Sequence, residues 1–291
     1  MITDSWYEIG AGHEVCEDYA IHGQFIKDEA EIHYAILSDG CSLSSRSDVG
    51  ARILCHTAEC ILKNYSVVNM RYIGNTEDFA VSVISQARSY CVLMGLPQVC
   101  LDCTFWMIIG VKNLKNIGMD VIVLGYGDGC KIQRIYGEDS IDVVGYHYTS
   151  GAPYYMNYLN NDDRTQNFLD FSEGNPVYQF MVPSDGYLGN ECEIDPESVY
   201  HMSLTAFKPT DIVIVSDGIF TFNVDKEENK WAYLESIKFK SYTAGFLKRR
   251  MKRFKKTREE RGISHFDDLG CIALRIGDDD FETANHRSNC R

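Results

Sequence analysis

The sequence predicts an α+β fold of mainly antiparallel strands with helices grouped apart from them, and three observations lead there. Apolar residues recur at helical spacing in two stretches between residues 49 and 93. A series of strand-like segments joined by short turns follows. Two apolar runs far apart in the chain both stop at Ser-Asp-Gly, at residues 38–40 and 216–218.

With 291 residues, 45% of them hydrophobic, the chain has material for one sizeable core, and a single domain over 1–277 with a polar tail over 278–291 is expected. A formal net charge of -14 argues against a nucleic-acid binder, which needs a basic surface to meet phosphates. The opening Met1-Ile2-Thr3-Asp4-Ser5-Trp6 is polar and acidic, and no run reaches the ~18 apolar residues of a membrane span. A cytoplasmic protein with no membrane partner is the expectation. Its 11 cysteines are scattered and odd in number, which favours reduced thiols over a disulfide framework. Cys100 and Cys103 form a C-x-x-C, but no second pair completes a zinc site, so they read as ordinary thiols.

Taken in order, the segment from Gly12 to Ala20 puts Glu17 and Asp18 side by side at the head of a short apolar patch, so that one of them faces a metal. Tyr34-Ala35-Ile36-Leu37 reads as a buried strand that delivers Asp39 to a fixed place, and Gly40, lacking a Cβ, lets its carbonyl approach whatever Asp39 binds. Ser47 or Asp48 is expected to cap a helix whose apolar residues are Val49, Ile53, Leu54, Ala58, Ile61 and Leu62. A second helix starts after Asn75-Thr76, with Glu77 and Asp78 in its first turn, and runs to about Leu93 before Gly95. His56, on the first helix, reads as an ordinary residue.

Strands are expected at 104–111, 119–126, 131–136 and 141–148, as antiparallel hairpins in one sheet or two packed sheets. Gly127-Asp128-Gly129 forms a glycine-rich turn between two of them. The polar stretch from Asn160 to Gly174 has no clear period and reads as a mobile excursion. A third Ser-Asp-Gly at 184–186 follows Pro183 and is assigned no chemistry, since proline suits a strand edge. Asp211 to Val215 is a β-branched strand ending at Asp217-Gly218. Lys226 to about Lys252 is helix-compatible, and the basic cluster from Lys248 to Lys256 reads as a solvated face. Asp267-Asp268 then introduces a last strand over 269–276.

Two strands ending in Asp-Gly suggest one shared site, and carboxylate and carbonyl oxygens suit hard cations such as Mg²⁺ and Mn²⁺. The ordered set Glu17-Asp18, Asp39-Gly40, Asp128, Asp217-Gly218 and Asp267-Asp268 resembles that of the PP2C-type metal-dependent protein serine/threonine phosphatases, over about Gly12 to Ile276. The resemblance implies a PP2C-like β-sandwich of two mainly antiparallel sheets flanked by helices in α-β-β-α layers. It implies that Asp39, Asp217 and Asp267 ligate metal with the Gly40 carbonyl, that Glu17 and Asp18 are ligands or hold water, and that Asp128 supports a third ion. The implied activity is hydrolysis of phosphoserine and phosphothreonine by a hydroxide bridging two Mn²⁺ or Mg²⁺ ions, with Asp39 and Asp217 central to catalysis. A phosphorylated protein is then the substrate and a cognate kinase the partner. A catalytically weak regulatory module that binds a phosphoprotein is the alternative.

The sequence departs from the family pattern at three places. His13 stands where the family generally carries a phosphate-binding arginine, four residues before Glu17. Cys41 stands where many eukaryotic members have a histidine thought to assist the leaving group, although bacterial members often lack it, and a packing role is expected for it. Asp102-Cys103-Thr104 replaces the usual Gly-Ser-Thr. A divergent, bacterial branch follows. If His13 binds the phosphate, an unperturbed imidazole titrating near ~6.5 makes substrate affinity weaken as pH rises through roughly 6 to 8.

Overall fold

Strand pairing divides the chain into two antiparallel sheets. The computed structural model describes residues 1–65, 74–114, 119–135, 141–148, 151–172, 177–182, 192–194, 202–203, 209–224, 232 and 234–277. Its strands are β1 (Ile2–Glu8), β2 (Tyr19–Lys27), β3 (Ala30–Ser38), β4 (Phe105–Asn113), β5 (Met119–Tyr126), β6 (Gly129–Ile135), β7 (Ile141–Tyr148), β8 (Val177–Val182), β9 (Cys192–Ile194), β10 (Met202–Ser203), β11 (Pro209–Val215) and β12 (Leu269–Arg275). Its helices are α1 (Ser47–Asn64), α2 (Gly74–Met94), α3 (Asp162–Phe171) and α4 (Phe246–Glu260). One sheet runs β1-β12-β11-β6-β7-β8-β9 and the other β10-β5-β4-β3-β2. Helices α1 and α2 cover the second sheet, and α4 covers the first.

Strand β11 shows why the Asp211–Val215 run is continuously apolar. Ile212 and Ile214 point into the core shared with the other sheet, while Val213 and Val215 point at α4 with Met251 and Phe254. A strand buried on both faces has no solvent side to alternate with. Strand β3 likewise lies between β2 and β4, in register Ala35 opposite Ile108, with Ile36 and Leu37 fully enclosed. The strands that carry Asp39 and Asp217 are therefore the interior strands of their sheets.

Strand β1 shows no apolar pattern because what it buries is acid. Asp4 and Glu8 are 2% and 8% exposed, and both are taken up by α4. Asp4 Oδ2 accepts the Lys248 N–H at 3.1 Å, one of the donors that the first helical turn leaves without an internal partner. Glu8 is held by Arg258, with His265 Nε2 at 3.1 Å and Lys255 Nζ at 3.2 Å. Arg258 is itself stacked over Phe222 and Phe254.

Four local expectations are corrected. Helix α4 begins at Phe246 after Gly245, whose φ of 76° interrupts the helix expected across 226–252, and it continues to Glu260. Its basic cluster is only partly solvated, since Arg250 is buried against Glu235. Ser47 and Asp48 do not cap α1; they lie inside its first turn behind Arg46, and Ser47 Oγ donates to Glu17 Oε1 at 2.8 Å. The stretch over 160–174 holds the helix α3, capped by the Asn161 side chain accepting from the Arg164 N–H at 3.2 Å. Phe168 is the residue α3 buries, so its apolar stripe is too thin to read as a period. The third Ser-Asp-Gly and the tail from 278 lie outside the described residues.

Cys100 and Cys103 are fully buried free thiols, with Cys103 Sγ donating to the Cys100 carbonyl at 3.2 Å. Among the described residues no helix is long and apolar enough to cross a membrane.

Burial alone pushes the Glu8 carboxyl up, but the His265 hydrogen bond and the charges of Arg258 and Lys255 outweigh it and hold the pKa at about 2. A carboxylate depressed below its ordinary value stabilises the fold above pH ~4.5, and that stability is lost as pH falls from there toward ~2. Glu8→Gln should therefore cost about 3 kcal/mol at pH 7, where it strands the Arg258 charge, and much less at pH 3. Urea denaturation at both pH values checks this, and an equal cost at both would refute it.

Candidate metal centre

The site lies where β3, β11 and the approach to β12 end. Asp39 leaves β3 into a backbone lock: its N–H donates to Thr104 Oγ1 at 3.1 Å, and the Thr104 N–H donates to its carbonyl at 2.7 Å. Ser38 Oγ donates to the Thr104 carbonyl at 2.7 Å and the Cys41 N–H to the Asp102 carbonyl at 3.1 Å. These bonds fix where the Asp39 side chain starts. Asp217 opens a 3-10 turn, Asp217–Phe220, directly after β11. Gly218 must be glycine there, because a Cβ would stand 1.8 Å from the Asp268 carbonyl oxygen.

Asp128 is held by the turn that the sequence marked. Gly127 and Gly129 have φ of 96° and 135°, values open to glycine and strained for other residues. The Trp106 indole N–H donates to the Asp128 carbonyl at 2.8 Å, and Trp106 is itself buried 5.2 Å from the Tyr146 ring. Asp267 is presented by Thr221, whose Oγ1 accepts the Asp267 N–H at 3.0 Å.

Asp39, Asp128, Asp217 and Asp267 line one pocket of about 190 Å³ with Gly40, Cys41, Ser42, Leu43, Thr104, Gly151, Pro153 and Tyr155. Among the described residues no lysine or arginine lines it. Asp18 lies beneath, fully buried, and Ser216 Oγ donates to its Oδ2 at 2.7 Å while accepting the Gly270 N–H at 2.8 Å. The serine of Ser-Asp-Gly thus positions a different acid from the one it precedes, a role the sequence reading missed. Asp18 and Asp217 both stand within hydrogen-bonding reach of the Asp39 carboxyl.

Glu17 sits at the edge, its side chain held by Ser47 and its N–H donating to Asp268 Oδ2 at 2.5 Å. Asp268 is a structural anchor that the sequence reading left unassigned. It also accepts the Gly10 N–H at 2.7 Å and stands 3.1 Å from His13 Nδ1, which ties the N-terminal loop to the head of β12. His13 Nε2 lies 3.5 Å from Asp267 Oδ1 and 3.4 Å from the hydroxyl of the pocket residue Ser42. Burial would lower the His13 pKa, but the Asp268 hydrogen bond with the charges of Asp268, Asp267 and Glu17 raises it above the ordinary value.

The electrostatics fit a cation. Burial, then neighbouring carboxylates, push Asp39 and Asp128 well above the usual carboxylate range. Burial raises Asp217 to about 6 with Asp267 adding to it, and raises Asp18 to about 8. Asp18 Oδ1 is enclosed with no donor facing it. Contact between two carboxyl groups requires a shared proton, and a divalent ion can take that proton's place with greater charge. Among the described residues no three His, Cys, Asp or Glu side chains are drawn together tightly enough to hold an ion as they stand. The fit is therefore one of donor chemistry, hard oxygen ligands with no lysine or arginine among the described lining residues.

No family model and no curated protein matches the sequence. Among solved structures, the serine/threonine phosphatase Stp1 from Staphylococcus aureus aligns with 95% of this chain and 96% of its own, at 12% identity and a TM-score of 0.49. The fold resembles that of PP2C-type phosphatases. The structure of the PP2C phosphatase domain of SpoIIE from Bacillus subtilis with a fragment of its regulatory domain aligns over 94% of this chain and 62% of that one, at 13% identity and a TM-score of 0.48. The catalytic domain of the phosphatase PstP, in complex with two manganese ions, aligns with 95% and 98%, at 12% identity and a TM-score of 0.41. At such scores these likenesses add nothing about activity, and the functional reading rests on the carboxylate cluster.

A carboxyl whose pKa is raised on folding keeps its proton longer in the folded state, so its contribution to stability falls as pH rises from ~4 through the folded pKa. The metal-free protein should therefore lose roughly 5 °C or more of Tm between pH 5 and pH 8. Millimolar Mn²⁺ should restore it, with a shift that grows with pH, and Asp39→Asn should flatten the fall in EDTA. Thermal unfolding across that range checks this; a pH-independent Tm unmoved by Mn²⁺ would remove the case for a metal site.

Proposed function

We propose that the chain is a metal-dependent phosphatase acting on phosphoserine and phosphothreonine in proteins. The observation that supports this reading is the convergence of Asp39, Asp128, Asp217 and Asp267 on one pocket, with Asp18 below and no lysine or arginine among the described lining residues. Asp39, Asp217 and Asp267 would hold Mn²⁺ or Mg²⁺ with the Gly40 carbonyl, Glu17 and Asp18 would act as ligands or hold water, and Asp128 would support a third ion. When bound, two such ions supply a water acidic enough to attack phosphorus near neutral pH and positive charge for the phosphoryl oxygens.

The chain's own residues set the rest. The Asp39–Thr104 lock and the Ser216–Asp18 bond fix the carboxylates in advance, so little reorganisation is left for substrate binding. His13 reaches the pocket rim at Ser42, where its imidazolium form would offer a phosphate charge as well as hydrogen bonds. A cytoplasmic phosphoprotein made by a cognate kinase is the substrate this reading implies.

Purified protein in Mn²⁺ should hydrolyse p-nitrophenyl phosphate, and excess EDTA should abolish the reaction. Asp39→Asn and Asp217→Asn should each lower kcat by about 100-fold or more, because each removes a charge from the ligand set. Asp185→Asn, in the third Ser-Asp-Gly, should leave the rate within about twofold of wild type. Turnover persisting in EDTA, or equal losses at all three positions, would overturn the assignment.

A further inference from the structure

Hydrolysis of an alkyl phosphate needs more than an activated water. The water's oxygen bonds to phosphorus, the bond from phosphorus to the seryl or threonyl oxygen breaks, and one of the water's protons ends on that departing oxygen. A hydrogen bond to the departing oxygen matters most when it leaves as a poor, strongly basic alkoxide. Four of the residues lining the pocket are carboxylates. Its neutral side-chain donors are Cys41, Ser42, Thr104 and Tyr155. Thr104 Oγ1 accepts the Asp39 N–H at the base of the Asp39 backbone lock, which fixes the oxygen there while leaving its O–H to donate, and Ser42 Oγ stands next to His13. Cys41 carries a thiol, a weak donor.

Tyr155 differs in how firmly it is placed. It is 7% exposed, and it precedes the 3-10 turn Met156–Tyr158, whose Asn157 is held from three sides. Asn157 Nδ2 donates to Asp102 Oδ1 at 2.7 Å and to the Gln98 carbonyl at 3.0 Å, while Arg88 Nε donates to Asn157 Oδ1 at 3.1 Å. Arg164 of α3 clamps Asp102 with bonds of 2.9 and 2.7 Å and stacks over Tyr158, whose ring lies edge-on to Tyr155 at 5.7 Å. The outcome of this network is a phenol that lines the pocket, within hydrogen-bonding reach of the Cys41 side chain and near Asp39 and Asp128.

We propose that Tyr155 is a catalytic residue of this pocket, donating a hydrogen bond from its hydroxyl to the bridging oxygen of a phosphate monoester as the bond to phosphorus breaks. Tyr155 keeps its own proton throughout. Asp102, Asn157, Arg88 and Arg164 are then positioning residues, which act by holding the loop that carries Tyr155. The proposal rests on the phosphatase reading above.

The test compares Tyr155→Phe with wild type in Mn²⁺ on two substrates, p-nitrophenyl phosphate, with its good leaving group, and a phosphoserine peptide, with its poor one. The variant removes one oxygen atom, and Tm with and without Mn²⁺ reports that fold and metal binding persist. The expected result is a kcat on the phosphoserine peptide lowered by about tenfold or more, and a several-fold smaller loss on p-nitrophenyl phosphate. Equal losses on both substrates, no loss on either, or a change confined to KM overturns the role of Tyr155 and leaves the phosphatase reading standing. A wild-type protein inactive on both substrates overturns the phosphatase reading and the role of Tyr155 with it.

Discussion

Mutual repulsion among buried carboxylates is the constraint on which the rest of the structure depends. Five acids, Asp18, Asp39, Asp128, Asp217 and Asp267, are brought together from widely separated parts of the chain, and among the described residues no lysine or arginine lines their pocket. Left to themselves such groups would separate, and four of them are held by neighbouring bonds, three through the backbone and Asp18 through its carboxylate. Thr104 holds Asp39, Trp106 holds Asp128 by its carbonyl, Thr221 holds Asp267, and Ser216 holds Asp18. The interior strands β3 and β11 supply the stiffness behind these anchors, because both are paired on each side. The backbone anchors are set in advance, and a cation would only have to draw the carboxylate side chains together.

The same logic separates the two acidic ends of the chain. Glu8 is also buried, but Arg258 and Lys255 surround it with the His265 ring and its charge is satisfied within the protein. Asp39 has no such partner. Burial is common to both, so the presence or absence of a paired cation, and not depth, distinguishes an acid that stabilises the fold from one that waits for a ligand.

Much of the layering was legible in the sequence because its buried strands are apolar throughout. The Asp211–Val215 run, the Gly127-Asp128-Gly129 turn and the helix ending before Gly95 follow from propensity and glycine chemistry alone. The acids that meet in the pocket were legible as strand-end residues, although which of each pair would point inward was not. Glu17 and Asp18 are adjacent in sequence, yet one lies at the edge against Ser47 and the other beneath Asp39. Their side chains alternate, and only the pairing of Tyr19 with Ser38 settles which faces in. Strand β1 was missed because its buried positions are Asp4 and Glu8. Helix α3 was missed because Arg164 docks on Asp102, a distant charge pair that local periodicity does not register. Tyr155 went unread for the same reason, since it reaches the pocket through that pairing.

Asp268 joins Gly10 and Glu17 across separations of 258 and 251 residues. Contacts that span nearly the whole chain are slow to form, because the loop they close is almost as long as the protein. During synthesis on the ribosome, β3 and its neighbours can pair long before β12 exists, but Asp267 and Asp268 emerge among the last residues of the described fold. The pocket cannot therefore act as a template for early folding. It closes last, as the two ends of the chain meet, so a truncated or stalled chain would carry most of the sandwich and none of the finished site.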